Sequence, residues 1–410
     1  MTKKNEVSKL KFDVVIAGGG IAGMTLACGL SKFNFTVAVI DTVPHEAQVD
    51  QGFDGRSSAI AFSAFRMLEG LDLWSHMGFE AQPINEIRVS DGDAPLFLHF
   101  DHEDLGEGPL GYMVENRHTR QGLYEKASLL PSLKIFAPDK ILSHKTGEKL
   151  STLILESGIE IETSLVVGAE GRGSPLRQGA GIGVTNFGYG QTAIVATVSH
   201  QLPHNGVAHE RFLCDGPFAI LPLTGNRASL VWTTTDDLAK IILGLNARAF
   251  NAEIMKRTGT FLGEIKAIGG RWNYPLTLQL AEKYIENRLA LIGDAAHGVH
   301  PVAGQGLNMG FRDIAALIEV LYDAREGAQD IGSSEVLKKY QRWRRTDNLV
   351  MTGVMDGLVR LFSNDILPLK KTRDLGLHIV NELPPLKRFF MRHARGTVGK
   401  LPRLLKGDAL

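Results

Sequence analysis

Short apolar runs and helical apolar patterns alternate along the chain. "KFDVVIAG" at Lys11–Gly18 and "FTVAVID" at Phe35–Asp41 are rich in β-branched residues, which predicts two buried parallel strands. "RLALIG" at Arg288–Gly293 predicts a third strand of this kind, and a helix with one apolar face follows it. The apolar positions of that helix are Leu307, Ile314, Leu317, Ile318 and Leu321. This order of strands and helices predicts an α/β fold.

The first strand leads into a glycine-rich turn with the spacing of a dinucleotide-binding loop. Gly18 suits the tight turn, Gly20 lets a pyrophosphate approach the backbone, and Gly23 lets helix and strand pack closely. The helix that begins at Ile21 and Ala22 presents backbone N–H groups to the phosphates. Asp41 ends the second strand at the position where a carboxylate bonds ribose hydroxyls. We therefore predict one Rossmann-like domain.

A second match to the glycine pattern fails in its context. "GYGQTA" at Gly188–Ala193 leads into the strand-like "TAIVATV" and not into a helix, so we reject it. The chain therefore has one dinucleotide loop by this criterion. A second redox cofactor would need to bind without a Rossmann domain of its own.

The third strand also opens into a loop that suits a ligand. Asp294 could accept hydrogen bonds from a polyol chain. The loop that follows leads into the predicted helix, where the backbone N–H groups around Gly306, Leu307 and Asn308 could stabilise developing negative charge.

The composition and the cysteine positions argue against several classes of protein. Lys and Arg total 45 and Asp and Glu total 45, so the chain has no overall electrostatic bias toward nucleic acid. Its two cysteines, Cys28 and Cys214, form no CxxC and no Cys/His cluster, which argues against a zinc site or a disulfide framework. The basic N-terminus lacks the apolar core of a signal peptide, and no apolar run is as long as a membrane span. We therefore expect a protein of a reducing compartment, with no metal.

Together, these segments resemble the FAD-dependent aromatic hydroxylases, the class A flavoprotein monooxygenases. The resemblance rests on "GGGIAG", on "GDAAHGVHPVAGQGLNMGFRD" and on "SLVVGAEGRGSPLR", in which Glu170 replaces the usual Asp. It implies FAD, with Asp294 on the ribityl chain and the following helix facing the flavin ring, and NADH or NADPH as a transient co-substrate. The implied cofactor-binding residues are Gly18, Gly20, Ile21, Ala22, Gly23, Asp41, Arg56, Asn116, Glu170, Asp294, Gly304, Gln305, Gly306, Leu307 and Asn308.

The resemblance narrows to the ubiquinone-biosynthesis hydroxylases. It covers nearly the whole chain and includes "LGYMVENR", "RFLCDGPFAILPL" and the tail from Leu361 onward. It implies a fold like that of para-hydroxybenzoate hydroxylase, with a Rossmann-like FAD-binding domain interleaved with a β-sheet substrate domain and followed by a helical C-terminal region. It also implies hydroxylation of a polyprenylated phenol by O2 through a flavin C4a-hydroperoxide.

The domains are expected to interleave along the chain. On the substrate sheet, Gln191, Phe218 and Leu221 are candidates to face the substrate ring, and ordinary sheet packing is an equally good interpretation of all three. His297 and His300 lie near the flavin loop, where a hydrogen-bonded anchor is the more common role, and no catalytic base is identified. The expected ranges are 1–90, 105–185 and 285–335 for the FAD-binding domain, 91–104 and 186–284 for the substrate domain, and 336–410 for the helical region.

The C-terminal tail is basic although the chain is neutral. Lys370–Lys406 contains ten Lys and Arg residues against two acids, Asp374 and Glu382. Such a segment could lie on an anionic membrane surface, which would make the protein cytoplasmic and peripheral to the inner membrane, or it could pack on the body. On the first interpretation, deletion beyond Leu361 should leave flavin content intact. A ubiquinone-biosynthesis complex is a further partner that the resemblance allows.

Two alternative functions stay open at this stage. A flavin-dependent reductase that saturates prenyl double bonds could share the fold, and it would consume no O2. A prenyl-lipid carrier that has lost its cofactor could also share it, but such a carrier would not need Asp294 or the glycines of Gly304–Gly306.

Overall fold

The computed structural model describes residues 9–49, 52, 55–92, 97–106, 108–299, 305–362 and 383–410. Three β-sheets and the helices that cover them form the described part of the chain. The strands are β1 Leu10–Ala17, β2 Val37–Ile40, β3 Ser57–Ala61, β4 Gln82–Ile84, β5 Glu86–Asp91, β6 Phe97–Asp101, β7 Gly111–Glu115, β8 Leu133–Phe136, β9 Ile141–Thr146, β10 Ser151–Leu155, β11 Glu160–Gly168, β12 Val184–His200, β13 Val207–Leu213, β14 Gly216–Leu223, β15 Arg227–Thr235, β16 Ile265–Ala281, β17 Ile285–Glu286, β18 Leu289–Leu291 and β19 His297–Gly298.

The α-helices connect these strands and complete the C-terminal region. They are α1 Ile21–Lys32, α2 His45–Val49, α3 Phe62–Gly70, α4 Trp74–Met77, α5 Asn116–Ser128, α6 Pro175–Gly179, α7 Asp236–Leu243, α8 Ala247–Thr258, α9 Gln305–Glu326, α10 Ser334–Phe362, α11 Pro384–Ala394 and α12 Arg403–Lys406.

The first sheet carries the predicted Rossmann-like unit. Its strand order is β17-β18-β11-β1-β2-β8, with β10 and β9 added beside β11, and β18, β11, β1, β2 and β8 run parallel. Val14, Val15 and Ile16 of β1 are fully buried, which fits a central strand covered on both faces. Helices α1 and α9 contribute to the same apolar core.

The parallel strands of this sheet end at one level. Ala17 of β1 is opposite Ile40 of β2 on one side and Gly168 of β11 on the other, and Gly168 is in turn opposite Leu291 of β18. Loops that follow parallel strands meet at the carboxyl edge of a sheet, where ligands bind in open α/β folds. The loops after β1, β2, β11 and β18 therefore form one cluster.

The second sheet has the order β19-β16-β12-β15-β14-β13-β5-β6 and is antiparallel except where β13 pairs with β5. On one face, called here the outer face, Phe218 and Trp232 pack with residues of α7 and α8. The opposite, inner face turns toward a three-stranded sheet of order β3-β7-β4. Thr197 marks this contact, because its Oγ1 donates a hydrogen bond of 3.2 Å to the carbonyl oxygen of Gly55, just before β3.

The predicted fold class is confirmed: a Rossmann-like parallel sheet is interleaved with a mainly antiparallel sheet and followed by a helical C-terminal region. One expected boundary is wrong. The second sheet already includes β5 from Glu86, so the substrate unit begins before residue 91. The strand was missed because it follows β4 after a single residue and pairs with the distant β13.

The C-terminal region divides into two parts. Met391 of α11 lies in the apolar cluster on the inner face of the second sheet, while Leu404 and Leu405 of α12 are buried in the main core. Arg312 of α9 donates hydrogen bonds to the carbonyl oxygens of Gly396 and Val398. The expectation that everything beyond Leu361 can be deleted with flavin content intact is therefore not supported, since deletion would expose the core of the FAD-binding unit.

Candidate cofactor site and substrate-facing sheet

The glycine loop after β1 has the geometry of a phosphate cradle. Gly18 has a φ of 103°, and a Cβ there would lie 2.5 Å from the carbonyl oxygen of Ala169. A Cβ on Gly23 would lie 1.9 Å from the carbonyl oxygen of Gly18, so both positions require glycine. Gly20 differs because nothing lies within 4 Å of the Cβ position, and no side chain caps the N-terminus of α1 there. The loop is therefore closed on the protein side and open at Gly20, Ile21 and Ala22.

Asp41 fixes this loop from the end of β2. Its Oδ2 accepts a hydrogen bond from the Gly19 amide, and its Oδ1 accepts one of 2.7 Å from the Val43 amide. Tyr124, which sequence reasoning missed, donates its hydroxyl to the Gly19 carbonyl at 3.1 Å. The predicted acid therefore lies at the loop, and both of its oxygens also hold backbone amides.

Asp294 is the exposed residue of a buried segment. Every other residue from Leu289 to Val299 is buried, whereas the Asp294 side chain is 52% exposed. Its Oδ2 lies 3.6 Å from Nε of Arg172, a residue of the loop after β11. Arg172 also donates hydrogen bonds to Thr277 of β16, so it joins the two units beside Asp294.

Helix α9 brings its first turn next to this loop. A Cβ on Gly310 would lie 3.6 Å from Cα of Gly293, so the helix passes close to the residue before Asp294. The residues of the first turn, Gln305, Gly306 and Leu307, are half-buried. Gly304 and His300 lie outside the described residues.

The side chain of Asn308 has a structural role. Its Oδ1 accepts a hydrogen bond of 2.8 Å from the Ala61 amide, and its Nδ2 donates one of 2.8 Å to the Ala59 carbonyl. The start of α9 is thereby fastened to β3. The Asn308 side chain therefore holds α9 against β3. The prediction that backbone N–H groups of this turn stabilise negative charge is not affected by these hydrogen bonds.

Arg56 and Asn116 are brought together although 60 positions separate them in the sequence numbering. The Asn116 amide donates a hydrogen bond of 2.9 Å to the Arg56 carbonyl, and Ser58 donates its hydroxyl to Oδ1 of Asn116 at 2.7 Å. The cause is the antiparallel pairing of β3 with β7, which aligns Ser57 with Glu115.

Glu170 lies in the predicted loop after β11, but its side chain contacts the start of α6. Its Oε2 accepts hydrogen bonds from the Ser174 hydroxyl at 2.5 Å and from the Leu176 amide at 3.3 Å. Burial raises the pKa of Glu170, although the Ser174 hydrogen bond opposes the shift. The carboxylate therefore fastens the start of α6, and only its backbone adjoins Gly18.

A buried charged network lies behind the Asp294 loop. Asp313 of α9 is fully buried and accepts hydrogen bonds from the Gly293 amide, His297 Nε2 and Arg344 Nε. Burial acts to raise the pKa of Asp313, but the charges of His297 and Arg344 outweigh it and hold the pKa at about 2. His297 is thus an anchor, as its position suggested. Asp313 was not predicted from the sequence. It lies four positions before Leu317, on the apolar face of the helix, and a charged residue on that face indicates a buried partner.

Of the three predictions for substrate-facing residues, the one for Phe218 is wrong. It is fully buried on the outer face, with its ring centroid 5.7 Å from that of Trp232. Leu221 lies on the inner face, within the cluster that includes residues of β3 and β7. Gln191 shares the face of Thr197, since both have odd numbers on β12, and its Nε2 donates to the Asp215 carbonyl at 3.2 Å.

Comparison with known proteins agrees with this geometry. The model of the "FAD binding domain" family matches residues 11–351. "Ubiquinone hydroxylase UbiL" of Rhodospirillum rubrum is 49% identical over 97% of this chain and 93% of its own. "3-demethoxyubiquinol 3-hydroxylase" of Escherichia coli is 36% identical over 94% of this chain and 98% of its own.

The chain belongs to the ubiquinone-hydroxylase family of FAD-dependent aromatic monooxygenases.

Solved structures support the fold of this hydroxylase family. p-Nitrophenol 4-monooxygenase PnpA from Pseudomonas putida superimposes with a TM-score of 0.78 at 17% identity, covering 96% of this chain and all of that one. PqsL, a probable FAD-dependent monooxygenase from Pseudomonas aeruginosa, gives 0.73 at 20% identity, covering 90% of this chain and all of PqsL.

The protein is an FAD-dependent aromatic hydroxylase, and the residues at the carboxyl edge fit that cofactor. Gly20 offers the close backbone approach that a pyrophosphate needs, and Asp294 offers an acceptor to a polyol. When bound, FAD carries electrons from NAD(P)H, typical of the family, to O2. The residues that would hold FAD are those of the loops that meet at the carboxyl edge of the first sheet.

Proposed function

We propose that this hydroxylase acts on a polyprenylated phenol of ubiquinone biosynthesis, using NADH or NADPH and O2. The observation that carries the proposal is the meeting of the loops after β1, β11 and β18 at one sheet edge, together with an apolar inner face that contacts β3, the strand to which α9 is fastened. The names of the two relatives, each matched over more than nine-tenths of its length, support a substrate of the ubiquinone pathway.

We also propose the residue roles at the cofactor. Gly18, Gly20, Ile21, Ala22 and Gly23 hold the FAD pyrophosphate, and Asp41 holds both the loop and the ribose. Asp294 receives the ribityl chain. Arg56, Asn116 and Glu170 shape the surrounding loops, and the first turn of α9, from Gln305 to Asn308, faces the flavin ring.

Oxygen consumption distinguishes the hydroxylase from a prenyl reductase. Purified protein is mixed with NAD(P)H and 2-prenylphenol, and O2 uptake is compared with product by mass spectrometry. The hydroxylase should consume O2 as it forms a product that is heavier by one oxygen atom, whereas a reductase should form a product with two added hydrogens without O2. A protein that takes up no FAD would instead support the carrier function.

Gly20→Ala tests the pyrophosphate role. Gly20 has φ −70° and ψ −179°, which alanine adopts without strain, and no protein atom lies near the added Cβ. The free energy of unfolding of the cofactor-free variant should therefore lie within about 0.5 kcal/mol of that of wild type, while the affinity for FAD falls at least about tenfold. Gly179→Ala, at the exposed end of α6 where the added Cβ also meets nothing, is the matched control for both measurements. Unchanged FAD affinity in Gly20→Ala would remove the pyrophosphate from this position.

We propose further that α11 touches the membrane surface, where a prenylated substrate resides. Leu383 and Phe389 are exposed apolar side chains, and Arg388 and Arg392 are exposed beside them. Arg395 and Arg403 are excluded from this role, since Arg395 is buried and Arg403 forms ion pairs with Glu319 and Asp323. No described helix is long and apolar enough to cross a bilayer. A cytoplasmic location peripheral to the inner membrane is part of this proposal, as is a complex of biosynthetic enzymes as partner.

The double variant Phe389→Ser with Arg392→Ser tests this surface. Both side chains point away from the core, so folding and FAD content should be unchanged. Sedimentation with vesicles of anionic phospholipid should fall several-fold, because an apolar anchor and a charge are lost. Ile241→Ser with Lys240→Ser, an exposed pair on α7, is the control. Equal sedimentation of both double variants and wild type would contradict the membrane role.

A further inference from the structure

One carboxylate on the inner face has no assigned role. Glu210 of β13 lies between Ala208 and Phe212, which share its face by strand alternation and belong to the inner apolar cluster. The neighbouring strands place Val89 of β5 and Ala219 of β14 opposite it. Glu210 therefore points toward the same side as Leu221.

The wall across from Glu210 adjoins the cofactor loops. The inner cluster combines Ala208 and Phe212 with Met113 of β7 and, at its margin, Ala59 of β3. The Ala59 carbonyl accepts the hydrogen bond from Asn308 at the start of α9. One strand thus carries both a wall of the apolar cluster and the anchor of the helix that faces the flavin ring. Glu210 therefore lies on the face that packs toward β3, the strand to which the start of α9 is fastened.

An ionised Glu210 carboxylate would destabilise the fold at this position unless a partner compensated its charge. No described residue gives it a hydrogen bond or an ion pair, although it is only half-exposed. The charged residues on the elements packed here have other partners or lie further along their strands. Asp91 is two positions on from Val89 in β5, Glu115 of β7 pairs with Arg227 at 2.8 Å, and Lys387 of α11 pairs with Asp104 at 2.8 Å. Burial alone raises the pKa of Glu210 to about 7. A carboxyl group that borders an apolar space without a protein partner is suited to a ligand that supplies the partner.

We propose that Glu210 is the catalytic base that takes the proton from the hydroxyl group of the substrate phenol. The inference deepens the proposed function and rests on it, because it requires a phenolic substrate. A proton acceptor at this point makes the ring a stronger nucleophile when it is needed.

The proton transfer fits a balanced reaction. The phenol O–H bond breaks, its proton moves to a Glu210 oxygen, and the electron pair of that bond enters the ring. A ring carbon then bonds to an oxygen atom delivered as hydroxyl, the oxidant being O2 with two electrons from NAD(P)H through the flavin. The second oxygen atom leaves as water. The three hydrogens of this water and of the new hydroxyl group are the proton of that carbon, the hydride of NAD(P)H and one proton from solvent. Glu210 returns its proton to the phenol oxygen, and the ring is aromatic again.

Glu210→Gln is the decisive variant, since it keeps the size of the side chain and removes the proton acceptor. FAD content and melting temperature should match wild type. The turnover rate with 2-prenylphenol should fall about 100-fold or more, and the rise of this rate with pH, near pH 7 in wild type, should disappear. Glu210→Asp keeps a carboxylate with a shorter reach and should recover part of the rate together with the pH-dependent rise.

Binding supplies a measurement that does not depend on turnover. A phenol that donates its O–H to Glu210 favours the ionised carboxylate, so 2-prenylphenol should release a fraction of a proton when it binds oxidised wild type near pH 7. Calorimetry in two buffers of different ionisation enthalpy measures this release. Glu210→Gln should release none, and the methyl ether of 2-prenylphenol should release none from either protein.

The matched control is Glu86→Gln on the neighbouring strand. Glu86 lies on the opposite face, since it aligns with Val207, and it pairs with Arg88 and His99. Its rate, pH profile and proton release should equal those of wild type. A Glu210→Gln variant with the wild-type rate and pH profile would overturn the role of Glu210 while leaving the proposed function intact. Wild type that neither binds nor hydroxylates 2-prenylphenol would overturn both.

Discussion

Replacing Asp294 with alanine should remove most of the FAD from the purified protein. Asp294 is the one exposed side chain in a buried segment, and it lies at the sheet edge beside the glycine loop. A hydrogen bond to a charged group contributes about 1.5–3 kcal/mol, so FAD affinity should fall by roughly 10- to 100-fold. The ratio of FAD to protein after gel filtration, and the dissociation constant from flavin fluorescence, measure the effect.

The variant should stay folded, because the Asp294 carboxylate supports little of the protein itself. Its Arg172 partner is 3.6 Å away and retains its hydrogen bonds to Thr277 of β16. Asp237→Ala is the control, since that side chain is 94% exposed and belongs to α7, which packs on the outer face of the second sheet. Full retention of FAD in Asp294→Ala would remove the ribityl role from this residue.

The cofactor loops could be predicted from the sequence because short-range rules determine them. The glycines at Gly18 and Gly23 are required by contacts within a few residues or with the adjacent strand. Asp294 follows its strand directly, and parallel strands necessarily place such residues at one edge. Arg56 and Asn116 needed the family resemblance, because only the pairing of β3 with β7 brings them together.

The substrate face was harder to predict because the sheet is covered on both sides. "GPFAILPL" is apolar at nearly every position, so the alternation that separates an inner from an outer face is absent. Phe218 and Leu221 are nevertheless three positions apart, and residues three apart on a strand point to opposite faces. That rule alone excludes placing both against the substrate.

Glu210 was not predicted from the sequence because its neighbours along the chain are also polar. "HER" at His209–Arg211 resembles a solvated polar segment, although only its middle residue points to the inner face. The guanidinium group of Arg211 instead donates hydrogen bonds to the carbonyl oxygens of Arg257 and Gly92. The missing information was the pairing of β13 with β5, a contact between residues more than 100 positions apart.

Asp313→Asn should produce the largest loss of stability among these variants. Asp313 is fully buried, and Arg344, which is 1% exposed, donates its Nε to Asp313 at 2.8 Å. Breaking a buried charge pair by removing one partner costs about 3–5 kcal/mol, because the other charge stays in a poorly solvating environment. Chemical denaturation at pH 7 should show a loss of this size. Since the Gly293 amide also donates to Asp313, the turn before Asp294 should loosen and FAD binding should weaken.

The pH dependence of this loss follows from the direction of the shift. The pKa of Asp313 in the folded protein is about 2, below about 4 for an unfolded chain. A carboxyl group with a lowered pKa contributes stability above its unfolded value, and this contribution is lost as the pH falls through the folded value. The difference between wild type and Asp313→Asn should therefore be complete at pH 7 and shrink as the pH falls from about 4 toward about 2.

Asp72→Asn separates the buried network from a general effect of losing a carboxylate. Asp72 pairs with Lys32 at 2.6 Å on the surface, and its φ of 54° suits asparagine as well as aspartate. Exposed ion pairs contribute about 0–1 kcal/mol, so this control should stay close to wild type in both stability and FAD content. If Asp313→Asn lost no more stability than Asp72→Asn, the buried charges of α9 and α10 would not be what holds the Asp294 loop in place.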